Sequence, residues 1–460
     1  MASTYLSRTF GTATSRKKFT LSMWVKLSGR GTGNNNSLLV SGASGQNEGT
    51  IKISSDAILW NEYNVGIGGS EGLLISNQLL RDYSAWYHLV FAWDSTNATA
   101  DDRMKIYLGG EQVTSFSSRT NPSLNYDAQI NNNIVHNIGR QTWNSSGFFD
   151  GSMSHIHFID GTAYDASAFG STDSTTGEWK INTSPSVTYG TNGFFILKDG
   201  NSVTDQSGNS NNFTVAGGTL TKTEDCPSNV FATWNPLANA NTSSTALTNG
   251  NTTFATPSGG HDFTISTLGM NSGSGKFYCE TKVSVSSSFN MIGISDHMYQ
   301  GGNQELSEDN YSYGYYSDSG GGSTAAKVRG NGSYILSGMP NYTTNDIIGM
   351  AIDLENHKLY FSKNGTWINS GNPTSGSTGT GAVSIQDLRT VTSTYGNGVY
   401  FFGAGDWHTS SGGTYQCNFG NGYFGTTAVA SAGTNASGIG IFEYDVPAGY
   451  TALSTKGFNE

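Results

Sequence analysis

Two tryptophans stand among hydrogen-bonding neighbours in stretches that read as loops: Trp143 in Gln141-Thr142-Trp143-Asn144-Ser145-Ser146, and Trp407 in Gly405-Asp406-Trp407-His408-Thr409-Ser410. Sugar rings stack on aromatic faces through their C–H bonds, while carboxamides, carboxylates and hydroxyls bond the sugar hydroxyls. Trp143, Asn144, Asp406, Trp407 and His408 are therefore the expected ligand-binding residues. The competing reading is that either tryptophan folds inward, since tryptophan is largely buried on average.

Hydrolysis of a glycan needs two carboxyls flanking the scissile bond, one protonated and one ionised. Acids two residues apart on a strand share a face, and Asp353 with Glu355 and Glu443 with Asp445 have that spacing. Each pair falls where the pattern turns, so these acids are expected to serve turns and the chain is expected not to be an enzyme; a polysaccharide depolymerase is the rival of another class. Gly68-Gly69-Ser70-Glu71-Gly72 fits Gly-x-Ser-x-Gly, but a nucleophilic serine requires a strand-to-helix turn and no helical period follows. His155 and His157 would point the same way on a strand, as a metal pair must, yet no third ligand follows by spacing.

The elements that must position these groups are strands. Phe19, Leu21, Met23, Val25 and Leu27 alternate along one face, with Trp24 on the other. Trp86–Asp94 and Arg103–Leu108 follow, the latter closed by Gly109-Gly110. In the second half Asp346–Asp353 alternates in the same way, Glu355-Asn356-His357-Lys358 breaks the pattern, and Leu359-Tyr360-Phe361 returns. Lys363-Asn364-Gly365 then makes a second turn, because Asn-Gly accepts the positive φ angles of tight hairpins. The fold class expected is all-β, two tandem antiparallel sandwiches with a short C-terminal extension.

The Asp346–Trp367 stretch, with Gly349-x-Ala351-x-Asp353 and Leu359-Tyr360-Phe361-x-Lys363-Asn364-Gly365-x-Trp367, resembles the central signature of the SPRY family, a β-sandwich interaction module. Gly275–Glu280, Ile292–Ser295 and Tyr313–Tyr316 fit the same family in order. Upstream, Phe19-Thr20-x-x-x-Trp24-Val25, Trp86-Tyr87-His88-Leu89-Val90, Ile106-Tyr107-Leu108-Gly109-Gly110, Ile138-Gly139-Arg140 and Phe149-x-Gly151-x-Met153 resemble laminin-G-like, concanavalin A-like jelly rolls. Asp205–Thr214 is similar to a segment bordering many such domains and is expected to close the first sandwich. That resemblance implies a calcium site at a sandwich rim, for which Asp94, Asn97, Asp101 and Asp102 are the residues most capable. No other cofactor is implied.

Two prolines in Thr223–Leu237 interrupt strand pairing, and the join is placed near 226. The expected domains are 1–225, 226–430 and a C-terminal extension 431–460. The order of laminin-G-like domain, Asp225-Cys226-Pro227-Ser228-Asn229-Val230-Phe231-Ala232-Thr233, SPRY-like domain and terminal Val446-Pro447-Ala448-Gly449-Tyr450 is similar to a group of marine tailed-bacteriophage proteins regarded as virion or tail-fibre components. It implies a virion protein that contacts other virion proteins and further copies of itself, as a homo-oligomer such as a trimer. A host surface glycan is the implied ligand, and a capsid decoration or fibre subunit with purely structural contacts is the alternative.

Composition agrees with that class. Charged residues are 12%, half the ~25% of average proteins, while glycines number 61 and aromatics reach 12%. A formal charge of −11 and no long basic run exclude phosphate neutralisation, so nucleic acid is not an expected partner. Three scattered cysteines encode neither a disulfide framework nor a zinc site. The first residues lack an apolar signal core, and no apolar run reaches the ~18 residues of a membrane span. Assembly in a host bacterial cytoplasm, without membrane insertion, is the expectation.

Overall fold

The computed structural model describes residues 3–28, 35–43, 47–83, 85–198, 202–239, 246–256, 260–287, 289–297, 305–308, 311–317, 325–392, 396, 398–408 and 412–459. Contacts divide the chain into two units: residues 1–222 with 226–228, and residues 223–225 with 229–460. Each contains two large sheets. Helix among the described residues is limited to 3-10 segments of three to six residues. None is long and apolar enough to cross a membrane.

In the first unit an eight-stranded sheet runs, in spatial order, Phe116–Thr120, Gly69–Leu79, Ala57–Asn64, Glu48–Ser54, Asn35–Gly42, Val135–Ile138, Tyr5–Thr9 and Thr214–Gly217. The six-stranded sheet runs Phe194–Ile196, Gly151–Asp160, Lys18–Leu27, Tyr87–Asp94, Met104–Leu108 and Glu111–Gln112. Phe19, Leu21, Met23, Val25 and Leu27 all enter the core with Trp60 and Trp93, as the alternation requires. The opposite face is covered too: Trp24 stacks on His88 at 4.8 Å, and His88 lies between Ser22 Oγ and the indole N–H of Trp179.

The Asp205–Thr214 segment fastens this unit. Asp205 accepts hydrogen bonds from the amides of Phe195, Ser207 and Asn211, each at 2.8 Å, and from Ser207 Oγ. Asn211 donates to the carbonyls of Thr191 and Gly193. Phe213 is then carried into the core, and Thr214–Gly217 pairs with the N-terminal strand.

In the second unit one sheet runs Trp234–Asn239, Gly260–Ser266, Val399–His408, Asn290–Ser295, Tyr313–Tyr316, Ala325–Gly330 and Ser333–Pro340, with Met270–Asn271 also pairing Val399–His408. The other runs Ala246–Thr248, Thr253–Ala255, Thr414–Asn418, Lys276–Val285, Ile347–Asp353, Lys358–Lys363 and Thr366–Trp367. Ile348, Met350, Ile352 and Leu354 point into the core. Asn364 and Gly365 take φ of 47° and 79° and close the Lys358–Trp367 hairpin, with Lys363 opposite Thr366.

The outer face of that second sheet is sealed by the end of the chain. Phe442, Val446 and Tyr450 pack on Tyr278, Ala351 and Tyr360, and Thr451–Ala452 pairs in parallel with Phe277–Tyr278. Buried Glu280 receives the amides of Glu443 and Tyr444, both at 2.8 Å, and the Tyr278 hydroxyl. Burying Phe442 and Tyr450 is worth about 3 to 6 kcal/mol together at ~1.5 to 3 per side chain.

Candidate ligand-binding surface

The stretch read as a loop around Trp407 is a ten-residue strand, Val399–His408. Glycine at 405 is needed because its neighbour comes close: a Cβ there would stand 2.2 Å from the Asp262 carbonyl. Alternation along the strand then sorts the predicted residues. Tyr400, Phe402 and Ala404 enter the core, and Asp406 follows them; Phe401 and Trp407 face the other side of the sheet.

Trp407 is 36% exposed and sits on a shelf of aromatics. Its ring centroid is 5.0 Å from that of Phe289, 6.3 Å from Tyr316, and 5.7 Å from His261, whose plane is turned 87° to the indole. Its amide donates to the Phe289 carbonyl at 3.0 Å, which fixes the strand under the ring. Phe263, Met291, Leu306 and Phe401 are buried on the same face of the sheet, with Phe289 packed against them. Beside this shelf, His261 Nδ1 is 3.5 Å from Glu305 Oε1, and Glu305 is ion-paired with Arg329. Burial lowers the His261 pKa, so the ring is neutral at pH 7. Burial raises that of Glu305 against the pull of Arg329. A half-exposed indole with neutral imidazole and an ion pair alongside offers one stacking face and several hydrogen-bonding groups.

Asp406 does not share that surface. It is fully buried, accepts from Thr256 Oγ1 at 2.6 Å and the Gly413 amide at 2.9 Å, and burial pushes its pKa up to about 7. The backbone of His408 pairs with Gly260, while its side chain, Thr409 and Ser410 lie outside the described residues. His261, Phe289, Tyr316 and Glu305 went unforeseen, although the alternation of His261, Phe263 and Ile265 could have marked His261 as facing with Trp407.

In the first unit Trp143 is half-buried in the turn region before Gly151–Asp160. Asn144 turns its side-chain oxygen back to the Ser146 amide and hydroxyl, at 3.2 and 2.7 Å, and its carbonyl accepts from Arg140 Nε at 2.9 Å. Arg140 in turn lies over the Tyr5 ring. The Asn144 acceptor thus holds its own loop.

The calcium candidates do not converge. Asp94 binds Lys18 at 3.1 Å and the Thr96 amide; Asn97 accepts from the Thr99 amide. Asp101 is engaged by Arg119 and Asn121, and Asp102 by Lys105. Each of the four side chains already faces a cation or donor, and among the described residues no group of three His, Cys, Asp or Glu is placed to hold a metal. The histidine pair is split by a β-bulge at 154–157, with His155 at φ 48°; it bonds Ser154 Oγ, while buried His157 stacks on Phe195 at 3.8 Å and bonds the Tyr189 hydroxyl.

The acid pairs are structural. Lys276 Nζ bridges Asp353 and Glu355 at 3.3 and 3.4 Å, and Asp353 also accepts from the amide and side chain of Asn356. Glu443 accepts from the Ala430 amide and Asp445 from the Thr434 amide and hydroxyl. Ser70 lies in a strand opposite Tyr63, not on a strand-to-helix elbow.

Comparison with known proteins agrees with the architecture. Residues 2–168 match the model of the concanavalin A-like lectin/glucanases superfamily, and residues 276–383 that of the SPRY domain. A comparison with curated proteins finds no match. Solved structures similar to it include the SPRY domain of human HERC1, at 13% identity over 40% of this chain and 96% of that one, with a TM-score of 0.28. Domains LG4-5 of the mouse laminin α1 chain show 8% identity over 88% of this chain and 84% of that one, with a TM-score of 0.28. A putative carbohydrate binding protein from Bacteroides ovatus shows 16% identity over 48% and 57%, with a TM-score of 0.31. The first half of the chain thus matches a superfamily of lectins and glucanases and the second half the SPRY domain, each model covering less than half of the chain.

Proposed function

We propose that this protein is a non-enzymatic structural and recognition component of a tailed-phage particle, and that its second sandwich presents a low-affinity site for a host surface glycan centred on Trp407. The observation that carries the glycan reading is the half-exposed indole on its aromatic shelf, with His261 and the Glu305–Arg329 pair beside it. The phage setting is supported by the sequence similarity in domain order and linker. Sites in the millimolar range sum to firm attachment when a particle carries many copies, through effective concentration. Contacts with neighbouring virion proteins and with other copies of this chain would supply that multiplicity.

The test is a glycan array probed with multimerised protein, followed by titration of any hit. Trp407→Ala should lose at least tenfold in affinity while circular dichroism and melting stay close to wild type. Binding that survives the substitution unchanged would remove Trp407 from the site.

A further inference from the structure

On the rung of the sheet next to Trp407, two carboxyls face each other. Where Gly260–Ser266 pairs with Val399–His408, His261 stands directly opposite Trp407, and Asp262 directly opposite Asp406. Opposed residues of an antiparallel pair share a face, with Cβ atoms ~4.5 to 5.5 Å apart, and successive residues alternate between faces. His261 and Trp407 therefore meet on the outer face, where their rings touch, and the two aspartates meet on the inner one. Both aspartates are fully buried. Asp406 Oδ2 is taken by Thr256 Oγ1 and the Gly413 amide, whereas its buried Oδ1 has no hydrogen-bond partner among the described residues. Asn290 lies opposite Asp406 on the other side, but its amide nitrogen donates to Ser286, Ser287 and Ser317 and its oxygen accepts from Ser287 and Tyr415. No cation is among the groups that act on Asp406.

We propose that Asp262 and Asp406 share one proton and that this carboxyl–carboxylate bond positions His261 and Trp407, so that pH regulates the stacking surface: firm while the proton is held, loosened once it leaves for solvent. The regulatory part rests on the reading of Trp407 as a glycan site. A single proton gives Asp406 Oδ1 a donor and cuts the buried charge from two to one. Burial raises Asp406 to about 7. The first of two facing carboxyls to ionise meets a neutral neighbour, and the second must ionise against a charge, so the last proton leaves above that value. Two like charges on one rung, shielded from water, then drive the strands apart. Only the Gly260–His408 pair lies beyond the rung of His261 and Trp407, so this end of the ladder is the part that opens. Of the other titratable groups around the pair, Tyr415 and Tyr342 keep their protons, because burial lifts them well above the ordinary 10. On the outer face His261 is lowered by burial and neutral above pH 6.5, and Glu305 is ion-paired with Arg329. His408 lies two residues beyond Asp406 on the same strand.

The test follows the 19F signals of the full chain labelled with 5-fluorotryptophan from pH 6 to 9, with Trp407 identified among the nine tryptophans by its loss in Trp407→Phe. No sugar is needed for this part. Above pH 7 the Trp407 signal should shift reversibly. Asp406→Asn and Asp262→Asn each put an amide N–H in place of the shared proton, so either should abolish the transition, while His408→Gln should retain it. Should Asp406→Asn fail to fold, Asp262→Asn decides alone. A wild-type Trp407 signal that stays still above pH 7, a transition unchanged in Asp262→Asn, or one removed by His408→Gln would each overturn the proposal. For a glycan that the array identifies, affinity should fall by up to about tenfold per pH unit above the midpoint, as linkage to one proton requires, and stay level in Asp262→Asn. Level affinity in the wild type would overturn the regulation. A Trp407 signal that moves as stated while no glycan binds would uphold the shared proton and overturn only the glycan reading.

Discussion

Buried polar side chains in this protein act as fasteners for backbone that lies far away in sequence. Asp205 serves three amides and a hydroxyl; removing its carboxyl strands those donors, and an orphaned buried donor costs ~1 to 3 kcal/mol. Asp205→Ala should therefore destabilise the first unit by about 3 kcal/mol in urea unfolding, and a loss under ~1 kcal/mol would show that water replaces the carboxylate. Gly365 makes a different case, in which the Asn-Gly turn was legible but its second constraint was not. Its φ of 79° favours glycine, and a Cβ would also stand 2.5 Å from the Tyr444 ring. Gly365→Ala should cost about 1 to 3 kcal/mol, where the turn alone would cost ~1. Thermal melts of Gly365→Ala with and without Tyr444→Ala separate the two parts: a penalty unrelieved in the double variant would leave only the backbone conformation.

At the scale of elements, alternating strands were readable wherever side chains filled both faces. Phe19–Leu27 and Ile347–Asp353 carry their period in apolar residues, and both enter their cores as that period requires. Val399–His408 was half hidden because Gly403 and Gly405 lack side chains to report the alternation, so Asp406 and Trp407 looked like neighbours in a loop. The bulge at His155 was invisible for a related reason: one extra residue in a ladder leaves no mark in composition. The role of Glu280 was hidden by distance, since its partners lie 163 and 164 residues on. That carboxyl joins two elements, so it predicts how the terminal segment is held. Glu280→Ala should loosen residues 441–453 ahead of the rest, visible as faster amide exchange there and earlier proteolysis, with about 2 to 4 kcal/mol lost from the second unit. Phe442→Ala should release the same segment at a cost of ~3 to 5 kcal/mol. Uniform exchange across the unit in both variants would argue that the segment is not a separate cooperative element.

At the scale of the molecule, the buried titratable groups are unevenly shared, and their signs differ between the units. In the first, burial holds His88 and His136 at pKa values of about 3, and His157 well below the ordinary 6.5, with His155, His88 and Lys198 adding to the depression of His157. A histidine with a depressed folded pKa contributes stability that is present above pH 6.5 and is lost as pH falls toward the folded value. Glu62 works the other way: burial raises it to about 8 against the Gln129 and Ile130 amides, so its contribution is present below about 4.5 and is lost as pH rises. Burial raises Glu48 and Asp150 in the same direction as Glu62, but both are only partly buried; the three deeply buried histidines outweigh these carboxyls, so from pH 4.5 to 6.5 the first unit gains stability as pH rises. In the second unit burial raises Glu280 and Asp406 to about 7, and both contributions fade as pH climbs from about 4 through 7. Burial lowers the more exposed His261 as well, which offsets them only in part. Each group that holds its proton differently in the folded and unfolded states changes stability by ~1.4 kcal/mol per pH unit. Net effects of roughly 2 to 5 kcal/mol, opposite in sign, are therefore expected between pH 4.5 and 6.5. Hydrogen exchange of the full chain at pH 5.0 and 6.5, corrected for intrinsic rates, reads both units in one sample. Protection should rise with pH in the Lys18–Leu27 strand and fall in the Lys276–Val285 strand, and a change of the same sign in both would refute the assignment of these groups.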